Sequence, residues 1–349
     1  MNKINIAVVG CGYWGPNLVR NFNQLSTCRI VKCCDLCEEK LKRIKTLYPN
    51  IQTTSRLEEI LEDSSIDGVA IATPVYTHFD IGKKCLDRDK HVMIEKPLAS
   101  SSKKCMDLIQ LAESKNKVLM VGHTFEYTAA VNKAREIVER KELGDIYYIS
   151  CIRVNLGLFQ PDINVIWDLA PHDISIILYV MQELPISINS QGKAHFKERI
   201  EDVATITLNF QNGGIAFIHN SWLDPCKIRR ITIVGSKKML VYDDVNSNEK
   251  IKIYDKGVEV PPYYDTYAEF HFSYRYGDIY TPRLNEYEPL RMECEHFIEC
   301  IATGEIPRSD GYSGLRVVSI LEAANKSLKN HGARELINDV YPYFKKQVA

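Results

Sequence analysis

Ile4-Asn5-Ile6-Ala7-Val8-Val9-Gly10-Cys11-Gly12-Tyr13-Trp14-Gly15 decides the fold of this 349-residue chain. Its apolar residues follow one another without alternation, as in a strand buried on both faces of a parallel sheet. The run ends in three glycines spaced G-x-G-x-x-G. Pro16 then suits a first helical turn, which Asn17–Leu25 continues. Gly10 permits the tight turn, Gly12 admits a pyrophosphate to the backbone, and Gly15 lets helix and strand pack closely. A second apolar run, Cys28 to Cys34, ends in Asp35. That acid lies where the ribose hydroxyls of an adenosine are bound, and it would repel a 2′-phosphate. The pattern therefore predicts a dinucleotide site that takes NAD rather than NADP, although Lys40, Lys42 and Arg43 on the following helix offset the acid. The alternative is a glycine turn in an ordinary α/β domain, with Asp35 capping a strand end.

Downstream, strand and helix alternate as far as about residue 122. Strands are expected at Ile4–Val9, Ile30–Cys34, Gly68–Ala72, His91–Ile94 and Val118–Gly122. Helices are expected at Asn17–Leu25, Glu38–Leu47, Leu57–Leu61, Thr77–Arg88 and Ser102–Ser114. Repeated β-α units with short loops predict a doubly wound parallel sheet over residues 1–123. Residues 124–349 read as a second α/β domain, for substrate and oligomerisation, with a large open antiparallel sheet. Its strands are Ile146–Val154, Ile186–Phe196, Val203–Phe210, Gly214–Trp222, Arg229–Val234, Met239–Tyr242 and Lys250–Tyr254. Helices Ala129–Lys141, Pro171–Met181, Glu286–Ile301 and Leu315–Lys329 accompany them. Pro261–Tyr287, rich in Tyr and Phe without periodicity, reads as a long loop or an interface segment. One face of such a sheet is expected to pair subunits into a homo-oligomer.

Composition narrows the class. Apolar residues make up 45% and charged ones 26%, so the chain buries a core rather than remaining disordered. A net charge of −1 gives no general attraction for nucleic acid or an anionic membrane. The first apolar run is too short to span a bilayer and ends in glycines, so neither a membrane segment nor a signal peptide is read. Eleven scattered cysteines suit a reducing cytoplasm. Cys34 and Cys37 form one C-x-x-C without a second pair, so no metal site is expected.

Two constellations carry candidate chemistry. Glu95-Lys96-Pro97 closes the strand His91–Ile94 at the carboxyl edge that also bears the glycine turn. Lys96 there either hydrogen-bonds a substrate hydroxyl and stabilises alkoxide charge, or is a solvated lysine at a strand end. In Trp167-Asp168-Leu169-Ala170-Pro171-His172-Asp173 the proline places the helix start near Asp168. Asp168 and His172 then share one face. His172, oriented by a carboxylate, suits proton exchange with an alcohol; otherwise Asp168 or Asp173 caps the helix and His172 is structural. Thr73, Pro74 and His78 follow Gly68–Ala72 and are candidates for the nicotinamide side. His123, Arg153, Asn155 and Trp167 are weaker candidates for substrate, with Arg153 suited to a phosphate or carboxylate.

Taken together, Gly10-Cys11-Gly12-Tyr13-Trp14-Gly15, Asp35, Ala72-Thr73-Pro74 with His78, Glu95-Lys96-Pro97 and Asp168-x-x-x-His172 resemble the Gfo/Idh/MocA family of NAD(P)-dependent sugar oxidoreductases. The resemblance spans nearly the whole chain. It implies that Lys96 touches both the nicotinamide ribose and the substrate, and that His172 with Asp168 handles the proton. Gly12–Asn17 and Val121-Gly122-His123-Thr124-Phe125 resemble the branch acting on nucleotide-linked sugars, in some members of which a tyrosine serves as the acid. Asn164-Val165-Ile166-Trp167 departs from the glycine-rich approach to the histidine motif in many members. The expected activity is hydride transfer at a ring carbon, C3, of a nucleotide-activated sugar in amino-sugar or surface-polysaccharide synthesis. A dehydrogenase of a free cyclitol or monosaccharide, and a non-catalytic dinucleotide sensor, are the alternatives.

Overall fold

The computed structural model describes residues 3–259 and 272–337, in two compact units. The first comprises Met1–Tyr127 with Tyr287–Ser319, the second Thr128–Glu286 with Ile320–Ala349. A single boundary at 123/124 therefore does not describe the chain, because residues 287–319 belong with the N-terminal unit.

The first unit runs β1 (Ile4–Val9), α1 (Gly15–Asn23), β2 (Cys28–Cys34), α2 (Glu38–Leu47), β3 (Gln52–Thr54), α3 (Glu58–Leu61), β4 (Gly68–Ile71), α4 (Val75–Asp87), β5 (His91–Glu95), α5 (Ser102–Ser114) and β6 (Leu119–Gly122). The six strands are all parallel, in the order β3-β2-β1-β4-β5-β6. Strand order reverses between β1 and β4, the place where doubly wound sheets open a crevice for ligand. Strands β1, β4 and β5 are almost wholly buried, as their unbroken apolar runs require. Strand β3 was not expected: three residues, Gln52-Thr53-Thr54, carry no apolar run to betray it.

A 3-10 turn, Thr124–Tyr127, follows β6. The second unit begins with α6 (Ala129–Glu139), β7 (Ile146–Val154), α7 (Val165–Met181), β8 (Pro185–Lys193), β9 (Val203–Phe210) and β10 (Ile215–Ser221). It continues with β11 (Ile228–Gly235), β12 (Met239–Asp243), β13 (Ile251–Glu259) and β14 (Ser273–Tyr280). After these come α8 (Pro289–Thr303), α9 (Gly311–Lys329) and β15 (Glu335–Leu336). Nine strands form one sheet in the order β14-β13-β12-β11-β7-β10-β9-β8-β15. It is antiparallel except for the pair β7 and β10. A helical crossover through α7 returns the chain in its original direction, so β8 runs parallel to β7. Two hairpins then bring β10 alongside β7 in that same direction. Burial alternates along β9 and β10, the signature of a sheet covered on one face. Helix α7 packs on β7, β9 and β10. Exposed aromatic residues remain, among them Tyr148 and Phe217, whose rings lie 6.2 Å apart.

The loop expected over Pro261–Tyr287 contains strand β14, paired with β13. Nearly every residue of β14 is exposed, so no alternation marks it in the sequence. Residues 260–271 of that stretch lie outside the described residues.

Candidate active site

The glycine turn is built as its residues require. Gly10 has φ +94°, and a Cβ there would stand 2.6 Å from the carbonyl oxygen of Ala72. A Cβ on Gly15 would stand 2.0 Å from the carbonyl oxygen of Gly10, which is how closely helix and strand approach. Gly12 is different: nothing lies within 4 Å of a Cβ placed there. That open cradle at the start of α1, between exposed backbone and the aromatic pair Tyr13 and Trp14, fits a pyrophosphate. Asp35 stands at the end of β2. Its Oδ2 accepts from the Cys11 amide at 2.6 Å and its Oδ1 from the Cys37 amide at 2.8 Å. Two backbone donors thus fix the carboxylate beside the turn, and Lys40 Nζ lies 3.8 Å from it. These residues fit the adenosine half of a dinucleotide. Gly12→Val is expected to fold with an unchanged melting temperature, because its side chain meets open space and its backbone is not left-handed. NAD affinity should fall by about tenfold or more, one such factor being about 1.4 kcal/mol. Calorimetry with NAD checks this; undiminished affinity would empty the cradle of its meaning.

On the β4–β6 half, Thr73 and Pro74 follow β4, and Pro74 is the N-cap residue of α4. His78, expected near the cofactor, is buried, with Nδ1 2.9 Å from the Pro97 carbonyl and Nε2 2.8 Å from the Thr73 carbonyl. It ties the turn after β4 to the segment after β5 rather than facing the crevice. Lys96, half-buried, follows β5, and the Lys96–Pro97 peptide is cis. Two further candidates are buried. Glu95, at the end of β5, is one of them. His123, just after β6, is the other.

In the second unit, α7 starts earlier than its proline suggests. Asn164 is the N-cap, its Oδ1 accepting from the Trp167 amide at 3.2 Å, and Pro171 lies inside the helix. Asp168 and His172, both half-buried, sit a turn apart on α7. Asp168 Oδ2 accepts from the Trp222 indole at 2.9 Å. Trp167 is buried, its indole N–H without a partner among the described residues. Asn155, just past β7, is half-buried. Arg153 does not present itself to a substrate phosphate. It is buried, and its Nε and Nη2 donate to Asp173 at 2.9–3.1 Å, with Asn220 adding a bond of 3.2 Å to the same carboxylate.

Next to Trp222 a cavity of about 510 Å³ opens, lined chiefly by Leu156, Phe159, Phe196, Ile200 and Leu223. The Phe159 ring lies 5.1 Å from Phe196 and 5.5 Å from Trp222. Phe159 of the cavity wall thus touches the ring whose N–H is donated to Asp168. Sequence reading missed it, because its walls come from the loop after β7 and from residues 40 to 67 positions later.

No group of acidic, histidine or cysteine side chains suited to a metal ion occurs among the described residues. No helix among them is long and apolar enough to cross a membrane.

Comparison with known proteins agrees with this geometry. Residues 4–123 match the oxidoreductase family GFO_IDH_MocA, with NAD-binding Rossmann fold, and residues 131–241 match the Gfo/Idh/MocA C-terminal domain. Myo-inositol 2-dehydrogenase of Thermotoga maritima is 24% identical over 93% of this chain and 96% of its own. UDP-N-acetylglucosamine 3-dehydrogenase of Acidithiobacillus ferrooxidans is 24% identical over 91% of this chain and 95% of its own. A solved structure of the UDP-N-acetylglucosamine 3-dehydrogenase from that organism, 21% identical, has a TM-score of 0.79, covering 95% of this chain and 99% of that one. With its glycine cradle, its parallel sheet and both matched regions, the chain belongs to the Gfo/Idh/MocA family of oxidoreductases and carries that family's NAD-binding Rossmann domain.

Proposed function

We propose that the protein is an NAD-dependent oxidoreductase acting at a CH–OH carbon, C3 in our reading, of a nucleotide-activated sugar. Bound NAD supplies the hydride acceptor or donor. Lys96 donates a hydrogen bond to the reacting oxygen and stabilises the alkoxide charge that builds as hydride moves. His172 exchanges the hydroxyl proton, and Asp168 orients it. The Trp222 indole holds Asp168 in turn, its N–H 2.9 Å from Oδ2.

The observation that carries the substrate class is the cavity of about 510 Å³ beside Trp222. A free cyclitol has no large planar group for an aromatic-walled space, whereas the base of a nucleotide-sugar stacks on such walls. The role of one relative as a UDP-N-acetylglucosamine 3-dehydrogenase supports the same reading. A place in amino-sugar or surface-polysaccharide synthesis belongs to this proposal. So do a cytoplasmic setting, supported by eleven free thiols, and pairing of subunits, as a homodimer or homotetramer, through the large sheet.

The test is a panel of UDP-sugars, dTDP-sugars and free cyclitols with NAD, followed by absorbance of NADH and by product mass. The same panel is run in reverse with 3-keto sugars and NADH. Loss of two hydrogens from one nucleotide-sugar, or its reverse, is expected. Turnover of myo-inositol alone would replace the substrate class. Tight NAD binding with silence in both directions would make the protein a sensor.

A further inference from the structure

Behind Lys96 lies a group of side chains that hydride transfer does not use. Glu95 ends β5 and pairs in register with Gly122 of β6. Its Oε2 stands 3.0 Å from where a Cβ on Gly122 would be, so glycine leaves it room that a larger residue would crowd. Its Oε1 is buried without a hydrogen-bond partner among the described residues. His123 follows Gly122, buried, with neither ring nitrogen partnered. Thr124 donates from Oγ1 to Oε2 of Glu293 on α8 at 2.7 Å, and Glu293 Oε1 is again unpartnered. Interiors pair their polar groups. Glu95 and His123 leave three unpaired atoms at the end of β5 and β6, and Glu293 on α8 leaves a fourth.

The charges around Glu95 can be assigned one by one. Burial, then the charge of Glu95, then Glu126, raise the Glu293 carboxyl well above the usual carboxylate range, although the Thr124 bond opposes them. Burial, with the Lys96 ammonium second, lowers His123 to about 3, so its ring is neutral. Burial and the neighbouring Glu293 charge push the Cys294 thiol well up. Beyond Glu126, Arg308 donates to its carbonyl at 2.8 Å, and Arg316 faces its charge. Glu95 itself is raised to about 7 by burial, with the Lys96 charge pulling the other way. Among these groups Glu95 changes charge near neutrality.

A doubly wound sheet binds one mononucleotide on each half of its crevice, which puts the nicotinamide on the β4–β6 half, where β5 ends in Glu95. We propose that Glu95 is a redox-linked proton site, ionised when the cationic, oxidised nicotinamide occupies that half of the crevice and protonated when the uncharged, reduced ring does. A buried carboxylate and a nearby cation attract strongly in a low-dielectric interior. When the alcohol carbon gives its hydride to the ring, the hydroxyl releases one proton to the base and the ring loses its positive charge. Glu95 then gains one proton from solvent, so net charge behind Lys96 is conserved across the step. Gly122 lets the Glu95 carboxyl lie against β6.

The sign follows from linkage. NAD⁺ lowers the Glu95 pKa from about 7, so binding releases a proton and NAD⁺ affinity rises with pH through that window before levelling off. NADH lacks the ring charge and its affinity does not rise. Calorimetry of the full-length wild type at neutral pH, in two buffers of different ionisation enthalpy, reads the proton count directly. Expected are a release of several tenths of a proton with NAD⁺ relative to NADH, and roughly a three- to tenfold gain in NAD⁺ affinity from acid to alkaline sides of the window. In Glu95→Gln both differences vanish. If that variant does not fold, the infrared difference spectrum of wild type bound to NADH minus NAD⁺ must still show a protonated-carboxyl band. Equal proton counts for the two cofactor forms, a pH dependence that survives Glu95→Gln, or absence of the carboxyl band would overturn the proposal. It needs only the cofactor, so its failure leaves the substrate proposal standing, and a silent substrate panel leaves it untouched.

Discussion

Lys96→Ala is expected to lower turnover by about a hundred- to ten-thousand-fold, the range over which one positioned proton-handling or charge-stabilising group acts. The lysine is half-buried at the end of β5, so its ammonium works in a less watery setting than a surface lysine, where such a charge is worth little. NAD affinity should change far less, because the pyrophosphate cradle at Gly12 and the carboxylate of Asp35 are elsewhere on the sheet. The informative split is therefore kcat against the dissociation constant of NAD, measured separately by steady-state kinetics and by calorimetry. A variant that turns over within a few-fold of wild type would remove Lys96 from the mechanism.

The second large effect is on stability. Arg153→Met should destabilise the protein by about 3–5 kcal/mol, the cost of stranding one member of a buried ion pair. Arg153 and Asp173 are among the least exposed charged residues of the chain, with side chains 5% and 2% accessible. Without the guanidinium, the Asp173 carboxylate keeps the Asn220 amide as donor. Replacing both partners by apolar residues, Arg153→Met with Asp173→Leu, should recover most of the loss, since no buried charge is then left uncompensated. Denaturant melts of the two variants decide it; equal stability of the single variant and wild type would show the pair to be superfluous. Asp173 also neighbours His172 on α7, so the single variant should lose turnover beyond its loss of stability.

The parallel sheet was legible because its strands announce themselves. Ile4–Val9 and Gly68–Ile71 are unbroken apolar runs, and three glycines at fixed spacing leave little choice of turn. Strands whose residues face solvent gave no such signal, as β14 shows, and neither did the three polar residues of β3. Pro171 misled because proline is commonest in a first turn, whereas here the Asn164 cap had already started the helix seven residues earlier. Side-chain roles were harder still. Arg153 looks like an anion ligand until Asp173, twenty residues on, is seen to hold it. Glu95 and Glu293 are nearly two hundred positions apart, and no local pattern links them. His78 was singled out by its place after β4, but its partners, Thr73 and Pro97, make it a clamp on the backbone.

One consequence concerns how this protein is made. Phe22 of α1 meets Phe297 of α8, ring centroids 6.3 Å apart, and Leu290, Cys294, Ile298 and Cys300 complete the same core. A ribosome that has released the glycine turn and all six parallel strands has therefore not yet supplied the wall of their own hydrophobic interior. Synthesis must run on through Cys300 before the cofactor-binding half can close, and until then its apolar floor is open to chaperones and to misassociation.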